Sequence, residues 1–180
     1  WAGMESDVRT MIMRAKDDLE GAAFVSGNGT SAPQGVTTAL DGTASEIAPT
    51  TAEAFAAADV YKLESALEAR YGSNAAWIAH KVYYNAVRQF DTNGGSALWE
   101  TIGGGRPGQL LGYDAFESSD MDSVLPDSTA TADNFAMLLG DFSNYVIVDR
   151  IGMSIELIPH LFATANNRPS GQRGFYAHFR

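Results

Sequence analysis

Cysteine is absent from this chain, and lysine occurs only three times, at Lys16, Lys62 and Lys81. Without cysteine there is no disulfide framework and no thiolate metal site. Scarce bases leave 12 Lys and Arg against 22 Asp and Glu, a net charge of −10. Counterion release needs several cationic contacts to phosphate, so the composition argues against a tight nucleic-acid binder. Also lacking is any apolar run near the roughly 20 residues of a membrane span. No charged n-region followed by an apolar h-region opens the chain. Histidine is nearly as scarce as lysine: His80, His160 and His178 are the three imidazoles.

What is present suffices for a folded core. Apolar residues make up 45% of 180, enough for one domain or two small lobes. Residues 5–25 set Val8, Met11 or Ile12, Ala15 and Leu19 at helical spacing, a single apolar stripe. Glu5 and Asp7 near its start suit the helix dipole. Gly27-Asn28-Gly29-Thr30 and Pro33 end that helix in a loop. Thr50-x-x-Glu53 is a capping box and predicts a helix to about Tyr71, with Phe55, Leu63, Leu67 and Tyr71 on one face. Gly72 stops it.

The rest of the chain alternates. Residues 75–79 read as a buried strand, 81–90 as a helix, and Asp91-Thr92-Asn93-Gly94 as a turn suited to positive φ. A strand over 97–102 leads into the loop Gly103, Gly104, Gly105, Arg106, Pro107 and Gly108, and a further strand covers 110–117. Six acids and no base lie between Asp114 and Asp133, the pattern of a solvated loop. Strands are predicted over 135–139 and 145–150, at Met153, Ile155 and Leu157, and at the C-terminus. There Phe175, Ala177 and Phe179 face one side and Tyr176, His178 and Arg180 the other. Strands following helices on a mixed sheet give an α+β fold. The chain opens on Trp1 and closes inside a strand pattern, so it reads as a piece of a longer polypeptide.

No residue set for bond-making chemistry emerges. Two stretches match a glycine-rich dinucleotide fingerprint, Gly27 to Ala32 and Gly103 to Gly108. Neither opens a helix after a strand, so neither supplies the amides a pyrophosphate needs. The histidines lie 80 and 18 positions apart, whereas a zincin pair sits one helical turn apart. Asp120-x-Asp122 with Asp127 lacks the glycine and closing Glu of a calcium loop. Ser96 is not on a nucleophile elbow, and no Ser-x-x-Lys exists. Arg168, Arg173 and Arg180 crowd the C-terminal stretch, where an acidic neighbouring subunit suits them better than phosphate. The sequence therefore predicts no cofactor, no metal and no catalytic residue.

One order of segments does carry information. Residues 75–121 contain A-W-I-A-H, a short helical run, F-D-T-N-G, L-W-E-T-I and P-G-Q-L-L-G-Y; residues 140–152 answer with G-D-F-S-N-Y-V-I-V-D-R-I-G. This order resembles the tailed-phage major capsid proteins of the Hong Kong 97 type. The similarity is clearest over 75–121 and 140–180 and looser over 15–72. Asp91, Gly94 and Gly112 fall on what looks like the family's axial domain, and Asp141, Tyr145 and Arg150 on its peripheral-domain hairpin. Asp114-Ala115 departs from the Pro-Val usual in relatives.

The resemblance implies a mixed sheet flanked by helices. Residues 1–35 would end the spine helix and its Gly-rich turn, 36–133 would form the axial domain, and 134–180 the returning peripheral strands. It implies a subunit that meets copies of itself in pentamers and hexamers of an icosahedral shell. DNA would be packaged only non-specifically, in the virion, after assembly in the bacterial cytoplasm. The loop Gly103 to Gly108 would then sit at the capsomer axis, where glycine lets backbones approach closely. The family's N-terminal arm, extended hairpin and most of the spine helix have no counterpart in this chain, so the piece alone is expected to be monomeric. The alternatives are an encapsulin-like nanocompartment shell and, from a different class, a small hydrolase using His80 or His178 with a carboxylate.

Overall fold

A computed structural model describes residues 2–52, 54–90, 99–100, 108–126, 134–148, 150, 152–163 and 168–179. They divide into two compact units, Trp1–Leu19 with Val146–Arg180, and Glu20–Tyr145.

In the smaller unit the first helix, α1 (Ala2–Ser26), meets a two-stranded antiparallel hairpin. Its strands are β6 (Ser154–Ile158) and β7 (Gly174–His178), in register from Ser154↔His178 to Ile158↔Gly174. The covered stripe of α1 differs from the predicted one. Val8, Arg9, Ile12 and Lys16 are half-buried, while Met11 and Leu19 stand exposed. Long cationic stems explain the rotation, because they cover apolar surface while their heads find partners. The Arg9 guanidinium donates to the Ile155 carbonyl at 3.1 Å and to Glu5 at 3.0 Å. The Lys16 ammonium lies 5.5 Å from the Phe179 ring centre. On β7, Phe175 and Ala177 turn inward and Tyr176 and His178 outward, as the alternation predicts.

The larger unit holds the core. Its sheet runs β2-β3-β4-β1-β5, with β1 (Ala76–Ala79), β2 (Trp99–Glu100), β3 (Gln109–Leu110), β4 (Tyr113–Glu117) and β5 (Met137–Gly140). β1 pairs parallel with β4 and antiparallel with β5; the other pairs are antiparallel. The helices of this unit are α2 (Val36–Leu40), α3 (Ala57–Ala66) and α4 (Lys81–Gln89). Trp77, Tyr83, Leu110, Val60 and Val87 are fully buried, and each such burial contributes roughly 1.5–3 kcal/mol before entropy. The Trp77 indole N–H, buried with them, donates to the Leu110 carbonyl at 2.9 Å.

Four local expectations are corrected. The helix predicted from Thr50 begins at Ala57, where the Asp59 carboxylate takes the free amides. It accepts from Ala56 N at 2.9 Å and from Thr50 N at 2.6 Å. Glu53 itself lies outside the described residues. That helix also stops at Ala66 and a 3-10 turn, Ala69–Asn74, follows, leaving Tyr71 exposed beneath the Arg70 guanidinium. The strand predicted over 110–117 is instead the hairpin β3–β4. Leu111 (φ 51°) and Gly112 (φ 80°) form its two-residue turn, both left-handed, as right-twisted strands require. No strand forms over residues 145–148. Asp141 accepts the Ser143 amide at 2.9 Å and folds Phe142–Asn144 into a 3-10 turn, after which Val146 to Val148 run exposed. The acidic stretch is not wholly solvated either, since Met121 is buried.

Candidate assembly surfaces

The sequence points to surfaces rather than to a catalytic centre. Of the predicted capsomer-axis loop, Gly103, Gly104, Gly105, Arg106 and Pro107 lie outside the described residues, as do Asp91 and Gly94. Gly108 is described. Its carbonyl accepts the Ala115 amide at 2.8 Å, which fixes the backbone leading into β3. Beside it a small cleft of about 320 Å³ is lined by Lys81, Tyr84, Arg88 and Glu117.

The motif positions downstream do structural work. Gly112 completes the β3–β4 turn. Asp141 caps the 3-10 turn, and the amide and hydroxyl of Ser143 hold its carboxyl below the usual range. The Tyr145 hydroxyl lies 3.3 Å from the Phe24 carbonyl and 3.2 Å from that of Gln34, tying β5's exit to the loop after α1. In that loop Asn28 Oδ1 accepts the amides of Thr30, Ser31 and Ala32, and Asn28 bridges to Gln34. A Cβ on Gly27 would meet the Pro33 carbonyl, and one on Gly35 the Val25 carbonyl, so close approach demands glycine at both. Arg150 is exposed. Thus Asp141 and Tyr145 come together around one feature, and Gly108, Gly112 and Arg150 have no part in it.

That feature is an open groove of about 680 Å³ in the larger unit. α2 and the segment after it form one wall, Phe55 and α3 the other, and residues 134–145, including β5, the floor. Sequence reasoning missed it because α2 was not foreseen. The available signal was Val36, Leu40 and Ile47, apolar residues in a stretch otherwise rich in turn formers. Thr37 anchors α2, its buried hydroxyl donating to the Val25 carbonyl at 2.6 Å. Among the described residues, Glu46, Asp59 and Asp141 are the charged ones lining the groove, and the Lys62 ammonium donates to the Ala48 carbonyl of its wall at 2.6 Å. Partial burial raises the Asp59 pKa, but the Thr50 and Ala56 amides and the charge of Lys62 outweigh it, leaving the carboxyl more acidic than usual.

The histidines form no site. His80 caps α4, its Nδ1 accepting the Val82 amide at 3.2 Å. His160 is exposed, and His178 stacks against Tyr176 with ring centres 5.5 Å apart. Among the described residues no three His, Asp or Glu side chains cluster as metal ligands. No described helix is long and apolar enough to cross a membrane.

The family model for phage capsid proteins matches residues 2–180. The chain belongs to the phage capsid family. Solved structures agree with this family fold. The capsid of an empty GTA particle, computed with C5 symmetry, is similar with a TM-score of 0.70 and 25% identity; the likeness covers 96% of this chain and 59% of that one. The capsid of a native GTA particle gives a TM-score of 0.69 at the same identity and coverage. This capsid-family chain therefore spans 59% of the length of those two capsid chains. No curated protein matches it in sequence. The helices and mixed sheet are those of a Hong Kong 97-like fold, as the order of segments predicted.

Proposed function

We propose that this chain serves as a structural subunit of an icosahedral phage or prophage shell. It associates with copies of itself in pentamers and hexamers that enclose DNA without reading its sequence. The observation that carries the proposal is the family match across residues 2–180, supported by the likeness to GTA capsids over nearly all of this chain. Heterologous contacts between identical subunits close into rings, so one chain can tile a shell. The role is architectural and the subunit is not an enzyme; it resides in the virion, after assembly in the host cytoplasm.

Within this reading, residues 36–133 are the axial domain, and 1–35 with 134–180 the peripheral one. The loop Gly103 to Gly108 lies at the capsomer axis, and the piece by itself does not close a shell. Electron microscopy of the complete gene product tests the proposal. Hollow or DNA-filled icosahedral particles are expected. Shells filled with an enzyme would point to a nanocompartment, and dispersed single subunits under all assembly conditions would overturn the reading.

A further inference from the structure

Charge is distributed very unevenly along this chain. Residues 157–180 contain Arg168, Arg173 and Arg180 and no acid, so the first 156 residues hold all 22 acids against the other nine bases. The C-terminal stretch is therefore +3 and the remainder −13. Its exposed side chains also include aromatic ones: Tyr176 is 53% exposed on the outer face of β7, beside His178, and Phe162 is 64% exposed. Among the described residues Arg173 makes no ion pair.

The groove of the larger unit is the complement of this surface. Its walls are mostly apolar, the described charged residues that line it are acidic with Lys62 beside Asp59, and backbone amides favour the ionised forms of Asp59 and Asp141. Among the described residues its floor strand β5 pairs with β1 alone, so its other edge has no described partner strand. About 680 Å³ is ample for an aromatic side chain of the size that buries roughly 150–250 Å². An acidic groove repels nucleic acid, and a stretch with arginine next to exposed aromatics fits it in both shape and sign.

We propose that the groove receives the exposed stretch Arg173–Tyr176 of a second copy of this chain, a head-to-tail contact. The proposal rests on the self-assembly reading above and names the surfaces that carry it. Each copy offers one groove and one basic, aromatic stretch, so the contact is heterologous and propagates until a ring closes.

Sedimentation velocity of the 180-residue chain, over a range of concentration and salt, tests it. The tail variant is Arg173→Glu with Tyr176→Ser. The groove variant is Glu46→Lys with Asp141→Asn, which keeps an acceptor for the Ser143 amide. Against the monomer expected from the sequence, wild type should self-associate through this contact, more weakly as salt rises. Each variant alone is expected to lose at least tenfold in affinity. Mixed one to one, they are expected to form dimers and nothing larger, because only one groove and one tail remain intact. That rescue also shows that both variants are folded. Variants that associate as well as wild type would sink the docking site while leaving a self-assembling subunit through other surfaces. A wild type that stays monomeric at every concentration would overturn the contact outright. A wild type that binds duplex DNA without self-association, and loses that binding in the tail variant, would assign the arginines to phosphate instead.

Discussion

Trp77 shows how much one residue fixes here. Its ring is fully buried, and its N–H satisfies the Leu110 carbonyl, tying β1 to β3 across the intervening strand β4. Trp77→Phe keeps an aromatic ring but loses that hydrogen bond and leaves space behind the smaller ring, so unfolding in urea should show a loss of about 1–3 kcal/mol. Gly35 carries a different constraint. A methyl group there would press on the Val25 carbonyl and the Gly27 amide, both part of the backbone. Gly35→Ala should cost about 1–3 kcal/mol in the same assay, whereas Gly152→Ala, with open space around it, should be close to neutral. Leu111 was invisible as a turn residue because a leucine in a left-handed conformation is rare. The β3–β4 register overrides its preference, and its side chain gains packing against the core.

Among the elements, α4 was the most legible, since Val82, Tyr83, Ala86, Val87 and Phe90 repeat at helical spacing and His80 supplies the cap. Its tyrosines also give it a pH signature. Burial, with the charge of Asp122, pushes the Tyr83 hydroxyl up to about 12, and burial pushes that of Tyr84 up as well. Tyr83 donates to the Val124 carbonyl at 2.7 Å and Tyr84 to that of Phe116 at 2.8 Å. A raised native pKa contributes stability that is complete below the unfolded value near 10 and is lost as pH climbs toward 12. Alkaline titration at 295 nm should therefore show these two phenols ionising late, together with loss of the fold. Tyr83→Phe should remove the Tyr83 part of that alkaline transition. Early ionisation of all tyrosines near pH 10 in a protein still folded would contradict the burial. α1 was less legible because Met11 and Ile12 fit the stripe equally well by spacing. The β6–β7 hairpin, which takes Arg9 and Lys16 along their stems, selected Ile12.

Among the described residues, the fully buried side chains all belong to the unit Glu20–Tyr145, while β6 and β7 are no better than half-buried. An isolated two-stranded hairpin is marginal in water. Native-state hydrogen exchange should therefore protect β1, β4 and α4 most strongly and β6–β7 least. Docking of a second copy on Tyr176 and Arg173 would slow exchange in β7 as concentration rises. Equal protection of both units at low concentration would contradict the uneven core.

The sequence by itself settled the family, the α+β class and the positions of β1, α4, β6 and β7. Each of these rests on local periodicity or on an order of short segments, which need no knowledge of long-range partners. Tertiary structure alone decided that residues 109–117 turn back on themselves and that Tyr145 to Val148 forms no strand. It also made the acid-lined groove, from stretches about 100 positions apart that no local pattern relates. Strand pairing and close backbone contact between separated segments are long-range interactions, and they outweigh intrinsic preferences of a few tenths of a kcal/mol per residue.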